Sequence, residues 1–299
     1  MNDNFTIAYM TNRRNPRFEW FADHLANHCF KGELLIIDFY AEERDLSKHA
    51  FDRGLDAKSH TPKPTVWQGK HRLTKENRFA AANARNTAVC LAKHDYIVFA
   101  DDLSVPGERW LDMVREHAKE KRTVFGSYAK LLGMEVQDGS LVEHHGYASK
   151  DHRADQQPNF GPTHGAWLYG CSFGLPIDVM LKINGMPEIA DGMGYEDTVT
   201  GEAIVNNGIQ VFFDPAMKTY ESEEAHHEDK PFIRSDPGVS PNDKSHAFLN
   251  MCKGLKRFDN YFGPEGLAGL RARIQAGEEF PIMGIPEHEW FTSTPLRDL

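Results

Sequence analysis

Cysteine is scarce in this chain and is never set at metal-binding spacing. The four cysteines, Cys29, Cys90, Cys171 and Cys252, are scattered through 299 residues with no C-x-x-C. That spacing excludes a zinc knuckle and points to reduced thiols. Long apolar runs are missing too: no stretch of about 18 apolar residues occurs, so no membrane-spanning helix is expected. The opening "MNDNFTIAYMTNRRNP" has an apolar stretch too short for the core of a secretory signal and no small-residue cleavage site after it, so a cytoplasmic location is expected. Glycine-rich phosphate loops are absent. Neither G-x-G-x-x-G nor a Walker motif is present, which argues against a dinucleotide dehydrogenase or a P-loop kinase. Positive charge is in deficit, with 34 Lys and Arg against 44 Asp and Glu, a formal net charge of −10. Such a balance is unsuited to a sequence-blind binder of nucleic-acid backbone.

The deficit reverses locally. From Lys58 to Arg85, seven basic residues (Lys58, Lys63, Lys70, Arg72, Lys75, Arg78, Arg85) face one acid, Glu76. This stretch fits an anionic small molecule or a polyanion, and equally a solvated helix face.

With 40% hydrophobic and 26% charged residues, the composition is that of a soluble globular protein with one large domain or two small ones. "FTIAYM" (5–10) and "ELLIID" (33–38) read as short buried strands. "PRFEWFADHLANHCF" between them reads as a helix, with Phe18, Phe21, Leu25 and Cys29 at helical spacing. Residues 53–70, with Gly54, Pro62, Pro64 and Gly69, read as loop. A helix at 74–94, the strand "YIVFA" (96–100), a helix in "PGERWLDMVREHAKEK" and the strand "TVFGSYA" follow. This rhythm predicts a mostly parallel sheet covered by helices. After about residue 128 the pattern changes. "KLLGMEVQDGSLVEHHGYA" reads as a hairpin turning at Asp138-Gly139, and 149–165 as a polar functional or mobile loop. Two helices ending at Gly185 and Gly208 lead to the strand "IQVFFDP", and two more helices are expected within "DKSHAFLNMCKGLKRFDNYF" and "PEGLAGLRARIQAGEEF".

In an open parallel sheet, ligands sit at the carboxyl ends of strands. Three such ends collect polar residues here: Thr11-Asn12-Arg13, Asp38, and Asp101-Asp102. Two adjacent carboxylates repel, so either this strand end is solvated or something positive belongs there. Mg²⁺ or Mn²⁺, which takes oxygen ligands and bridges carboxylates to phosphates, is one candidate. A second acidic pair, Glu196-Asp197 in "GMGYEDTVTGEAI", opens a predicted helix, where acids also serve as N-terminal caps. Beyond the last strand, "ESEEAHHEDKPF" sets His226 beside His227; a histidine there can complete a metal site, or the pair is incidental.

Taken together, "NARNTAVCLAKHDYIVFADDLSVP" and "YGCSFGLPIDVMLKINGMPEIADGMGYEDTVTGEAIVNNGIQVFFDP" resemble, in order and spacing, the two signatures of family-2-like glycosyltransferases of the GT-A fold. The resemblance covers roughly residues 5–230. It implies a Rossmann-like GT-A domain over 1–230, with a nucleotide-sugar half at 1–127 and an acceptor half at 128–230, then a C-terminal helical extension at 231–299. It implies an inverting, metal-dependent hexosyltransferase that moves a sugar from a nucleoside-diphosphate donor, UDP-linked, to a hydroxyl-bearing acceptor. Thr11, Asn12, Arg13 and Asp38 would contact the nucleoside, and Arg85 and Asn86 would lie near the donor. Asp101 and Asp102, Asp102 first, would hold Mn²⁺ or Mg²⁺ with help from His226 or His227, and Arg78 or Lys75 would steady the diphosphate. Asp197 would be the general base, and Glu196 would orient the acceptor.

Departures from the family pattern are local. Leu103 stands where a strict Asp-x-Asp has its second acid, and the 130–147 hairpin is not a standard family element. Trp167 in "HGAWLYG" either stacks on an acceptor or fills core. Two other function classes fit part of the pattern: a nucleotidyltransferase, which usually carries a glycine-rich loop that "MTNRRNPR" lacks, and a non-catalytic nucleotide-sugar-binding protein, which would not need Asp197. Nucleic acid enters only as an acceptor, a hydroxymethylated base in phage DNA, gripped by 58–85 and by Lys253, Lys256, Arg257, Arg271 and Arg273.

Overall fold

The computed structural model describes residues 2–65, 81–188, 195–228 and 249–281. The chain begins with a β/α alternation: β1 (Thr6–Thr11), α1 (Phe18–Asn27), β2 (Glu33–Asp38), α2 (Ser47–Phe51), β3 (Asp56–His60), α3 (Ala81–Leu91), β4 (Tyr96–Asp101), β5 (Ser104–Pro106), α4 (Trp110–Lys119) and β6 (Thr123–Leu132). A hairpin of β7 (Glu135–Gln137) and β8 (Ser140–Glu143) follows, then β9 (Gly146–Lys150), α5 (His152–Gln156), β10 (Gly161–Pro162) and a 3-10 turn at Gly165–Trp167. The chain continues through β11 (Ser172–Pro176), α6 (Ile177–Ile183), α7 (Glu196–Asn206), β12 (Val211–Ser222), α8 (Glu223–Glu228) and α9 (Gly266–Gln275).

Among the described residues ten strands form one sheet in the order β10-β12-β6-β11-β4-β1-β2-β3, with β5 paired to β12 and β9 to β6. The β4-β1-β2-β3 half is parallel, β11 runs antiparallel between β4 and β6, and β12 is parallel to β6. Strands β1, β2 and β4 are buried on both faces, which is why they read as unbroken apolar runs. Their alternate residues divide between two cores. Ile7, Tyr9, Leu34, Ile36 and Val98 pack under α1 and α4, while Ala8, Met10, Leu35, Ile37 and Phe99 pack under α3, α6, α7 and α9. Phe258, Phe262, Leu267 and Leu270 join the second core, so the described part of the 231–299 segment packs on the sheet's own helical layer.

Three sequence expectations change. Residues 56–60, read as loop, form β3. "DAKSH" has no apolar alternation because it is a sheet edge, held by backbone pairing to β2. The predicted helix in 243–262 does not persist. Residues 243–248 lie outside the described residues, and beyond a short helical stretch at 249–252 the chain is irregular, with Gly254 at φ +80°. The polar 149–165 segment is built rather than loose, holding the end of β9, α5 and β10 around a fully buried Arg153. Of the expected helix at 74–94, residues 81–91 are helical, while 74–80 fall outside the described residues. The hairpin turn is at Asp138-Gly139, both with positive φ, and its tip rests on α1, where His24 Nδ1 donates to the Gly139 carbonyl at 3.1 Å. Among the described residues no helix is long and apolar enough to cross a membrane.

Candidate active site

The ends of β1 and β4 lie side by side, Met10 opposite Asp101, so Thr11, Arg13, Asp101 and Asp102 converge. The turn that presents the two acids is made by Leu103, which is fully buried with φ +58°. Its N–H donates to Pro16 O at 3.1 Å and its carbonyl accepts from Ser222 N at 3.2 Å. Position 103 is therefore an internal anchor, which is why an acid is not found there.

Protein cations already balance the two carboxylates. Asp102 accepts from the Thr11 hydroxyl at 2.7 Å and pairs with Arg13 Nε at 3.2 Å, and its side chain is only 11% exposed. Asp101 pairs with Arg85 Nη2 at 3.0 Å, and its side chain is 40% exposed. Burial of the Asp101 carboxyl, with Glu221, Asp102 and Glu196 nearby, outweighs Arg85 and raises its pKa to about 7. The remaining exposure tempers that shift. Burial also raises Asp102, against the pull of Arg13 and Thr11.

His226 and His227 diverge. Arg13 Nη2 lies 3.0 Å from His226 Nδ1; a guanidinium can only donate, so Nδ1 accepts and the proton sits on Nε2, donating to Glu221 Oε2 at 3.2 Å. Both ring nitrogens of His226 are thus in use. His227 pairs instead with Glu223 at 3.1 Å and is 66% exposed. No three of His, Cys, Asp and Glu among the described residues form a metal cage. Of the two acids, Asp101 has the more accessible carboxylate and is the residue that would hold a divalent cation. Asp102, the first choice from sequence, is the less accessible of the pair.

Asp38 at the end of β2 is fully buried and held by Arg44, with Nε to Oδ2 at 2.7 Å and Nη2 to Oδ1 at 2.9 Å. Arg44 also binds the Arg13 and Arg14 carbonyls, fixing the 11–14 turn, where Asn12 is half-buried. Asn86 does not reach the cluster. Its amide is spent on the Met186 backbone and Glu188, holding the turn after α6. Arg78 and Lys75 lie outside the described residues.

The other half of the site hangs from β11. Gly170, just before that strand, donates its N–H to Asp197 Oδ2 at 3.0 Å and accepts Arg85 Nη2 on its carbonyl at 3.3 Å. Thr198 N–H donates to Asp197 Oδ1 at 2.7 Å, and Glu196 lies 3.6 Å from Arg85 Nη1. Arg85 is the shared centre, joining the β4 acids to the α7 acids. A side chain at 170 would collide with its guanidinium. Trp167 is half-buried, its ring edge-on to Phe213 at 5.3 Å, and one face of it packs against the core. Of the C-terminal cations, Arg271 caps the end of α3 on the Val89 and Ala92 carbonyls and Arg273 pairs with Glu278. Lys253, Lys256 and Arg257 stay exposed.

Sequence reading missed Glu221, Gly170, Arg44 and Arg153. Glu221 reaches the acids because β12 pairs with β5, Glu221 opposite Ser104, a register that no local motif signals.

No protein-family model and no curated protein sequence matches the chain. Solved structures do. TarS 1–349 from S. aureus in complex with UDP-GlcNAc superposes with a TM-score of 0.53 at 12% identity, over 84% of this chain and 65% of that one. GalNAc-T7 with UDP, GalNAc and Mn²⁺ gives a TM-score of 0.53 at 11% identity, over 83% of this chain and 48% of that one. The chain has the GT-A fold. At this identity the likeness is one of fold, and the chain spans less than two thirds of the length of either protein. The ends of β1 and β4 and the start of α7 thus meet in one polar cluster centred on Arg85.

Proposed function

We propose that this chain transfers a sugar from a UDP-linked donor to a hydroxyl acceptor with inversion, Asp197 acting as the general base and Glu196 orienting the acceptor. One observation carries the reading. Arg85 touches Asp101, the Gly170 carbonyl and Glu196 at once, so a donor-side carboxylate and an acceptor-side carboxylate stand on either side of one buried cation. The UDP-bearing structures that share the fold support a uridine donor.

The diphosphate gains negative charge as the bond to the anomeric carbon breaks, and Arg85 and Arg13 supply positive potential from a protected setting. A divalent cation on Asp101 would add Lewis-acid stabilisation of that diphosphate. The Asp197 carboxylate is oriented by the Gly170 and Thr198 N–H groups. It takes the proton of the acceptor hydroxyl while the hydroxyl oxygen forms its bond to the anomeric carbon and the diphosphate leaves with the bonding pair. Attack from the face opposite the leaving group inverts the centre.

The test is hydrolysis of UDP-sugars, with and without Mn²⁺, by wild-type protein and Asp197→Asn. Wild type should release free sugar in a Mn²⁺-stimulated reaction. Asp197→Asn should lose at least a hundredfold in kcat while binding UDP within about threefold of wild type, given that acid–base groups contribute roughly 10²–10⁴-fold. Equal turnover by the variant removes Asp197 as base, and no turnover of any nucleotide sugar removes the function.

A further inference from the structure

Arg153 is fully buried, yet the reaction described above does not use it. It lies on α5, inside the segment that departs most from a simple loop. Its Nε and Nη2 grip Asp151 at 2.8 and 2.6 Å, Nη2 also reaches the Gly126 carbonyl on β6 at 3.0 Å, and Nη1 donates to the Trp167 carbonyl. Its guanidinium lies 3.8 Å from the centre of the Tyr169 ring. The fork therefore joins three separate pieces of chain, and the third is a short strap, residues 165–170.

That strap ends in the part of the site that matters most. Gly170 gives its N–H to Asp197 and its carbonyl to Arg85. On its other side the strap lies directly against α7, because Gly165 and Gly201 approach so closely that a Cβ on either would strike the other's carbonyl oxygen. Arg153 presses from one side and the α7 backbone from the other, so the Gly170 amide has little freedom. A lysine in the same place is a point charge and cannot serve the two carbonyls and the carboxylate together.

We propose that Arg153 is a positioning residue for sugar transfer: it fixes the 165–170 strap and, through Gly170, sets Asp197 and Arg85 in register with each other. This rests on the reading of Asp197 as the base. An oriented base is sensitive to small displacements, and misplacement by about 1 Å can cost on the order of a hundredfold in rate.

The experiment uses the full chain with Arg153→Met and Arg153→Lys. It reads kcat for hydrolysis of UDP-GlcNAc and UDP-glucose, UDP affinity by calorimetry, and amide hydrogen exchange by mass spectrometry. Expected are a kcat reduced on the order of a hundredfold, a UDP Kd within about threefold of wild type, and faster exchange at 165–171 with peptides from β2 and β4 unchanged. Lysine should recover little of the lost rate. If exchange at 165–171 is unchanged, or if it rises while kcat stays near wild type, the proposal is wrong. Should Arg153→Met fail to fold, as general loss of protection in β2 and β4 would report, Asp151→Asn keeps the shape and gives the same pattern at about tenfold; wild-type kcat and exchange in that variant overturn the proposal. A wild-type chain that turns over no UDP-sugar removes the base reading and with it the catalytic role, whereas a turning-over wild type with normal Arg153 variants removes this inference alone.

Discussion

Replacing Leu103 with aspartate would recreate a strict Asp-x-Asp, and the structure dictates that the acid would not reach the cleft. Leu103 is 0% exposed and its backbone is tied on both sides, so the new carboxyl would be buried with it. Deleting a buried leucine side chain costs about 2–5 kcal/mol. Holding an aspartate protonated at pH 7 against an ordinary pKa near 3.9 costs about 4 kcal/mol more. Relief of the left-handed backbone, which Asp tolerates better than Leu, returns roughly 1 kcal/mol. The balance is a loss of about 6 kcal/mol, a large share of the roughly 5–15 kcal/mol that holds a typical protein folded. Thermal melting of Leu103→Asp should therefore fall by on the order of 15 °C, and the gap to wild type should narrow in urea titrations at pH 4.5, where protonation costs little. Mn²⁺ affinity, measured in the presence of UDP, should not improve. A variant that melts within about 5 °C of wild type, or that binds Mn²⁺ more tightly, would show that position 103 faces the site and not the interior.

Three further outcomes follow from the contacts described. Burial, with His28 stacked alongside, lowers the His24 pKa to about 4. The folded state therefore resists protonation, and the stability that His24 supplies is complete above its unfolded pKa near 6.5 and is lost as pH falls toward 4. Urea midpoints of His24→Gln should lose less stability than wild type over that window, by up to about 3 kcal/mol; identical slopes would place the acid sensitivity elsewhere. Gly201→Ala should cost about 1–3 kcal/mol by overpacking against Gly165 and reduce kcat, both measurable by denaturation and donor hydrolysis; an unperturbed variant would mean that the strap yields freely. Asp101→Asn should abolish the Mn²⁺ dependence of UDP binding in calorimetry, and a wild-type Mn²⁺ response would assign the cation to other residues.

The parts of this molecule legible in its sequence are those whose energy is local or repeated. Strands β1, β2 and β4 announce themselves because burial on both faces demands continuous apolar residues, and Asp101-Asp102 stands out because charge at the end of such a run is costly. The β3 edge carries no such mark, since backbone pairing to β2 holds it whatever its side chains are. Asp197 was readable as an acid opening a helix, but its partner was not: Gly170 contributes only backbone, and backbone donors leave no trace in residue type. The charge of the Asp pair calls for a cation, and part of that positive charge is inside the chain, in Arg13 and Arg85, brought from β1 and α3 by sheet order. Asn86, next to Arg85 on α3, is turned away from the acids into a structural turn, because neighbours on a helix point about 100° apart.

The antiparallel strand β11 has a consequence for how such a protein can change. Among the described residues it is the one strand of the central sheet that runs against both of its neighbours, so its beginning, not its end, meets the end of β4, with Ser172 opposite Ala100. Two halves that are otherwise separate in the chain are thereby referenced to a common ruler a few residues long. The hairpin between β6 and β9 can lengthen or shorten without altering the spacing of the acids, because that spacing is held by the β4–β11 ladder and by the 165–170 strap that leads into it. A single-residue insertion within β11, by contrast, would turn every side chain of that strand to the opposite face and shift the strap by a full residue. Variation is free in the β7–β8 hairpin and constrained in the 165–170 strap and the five residues of β11, so the rim can diversify while the acids keep their gauge.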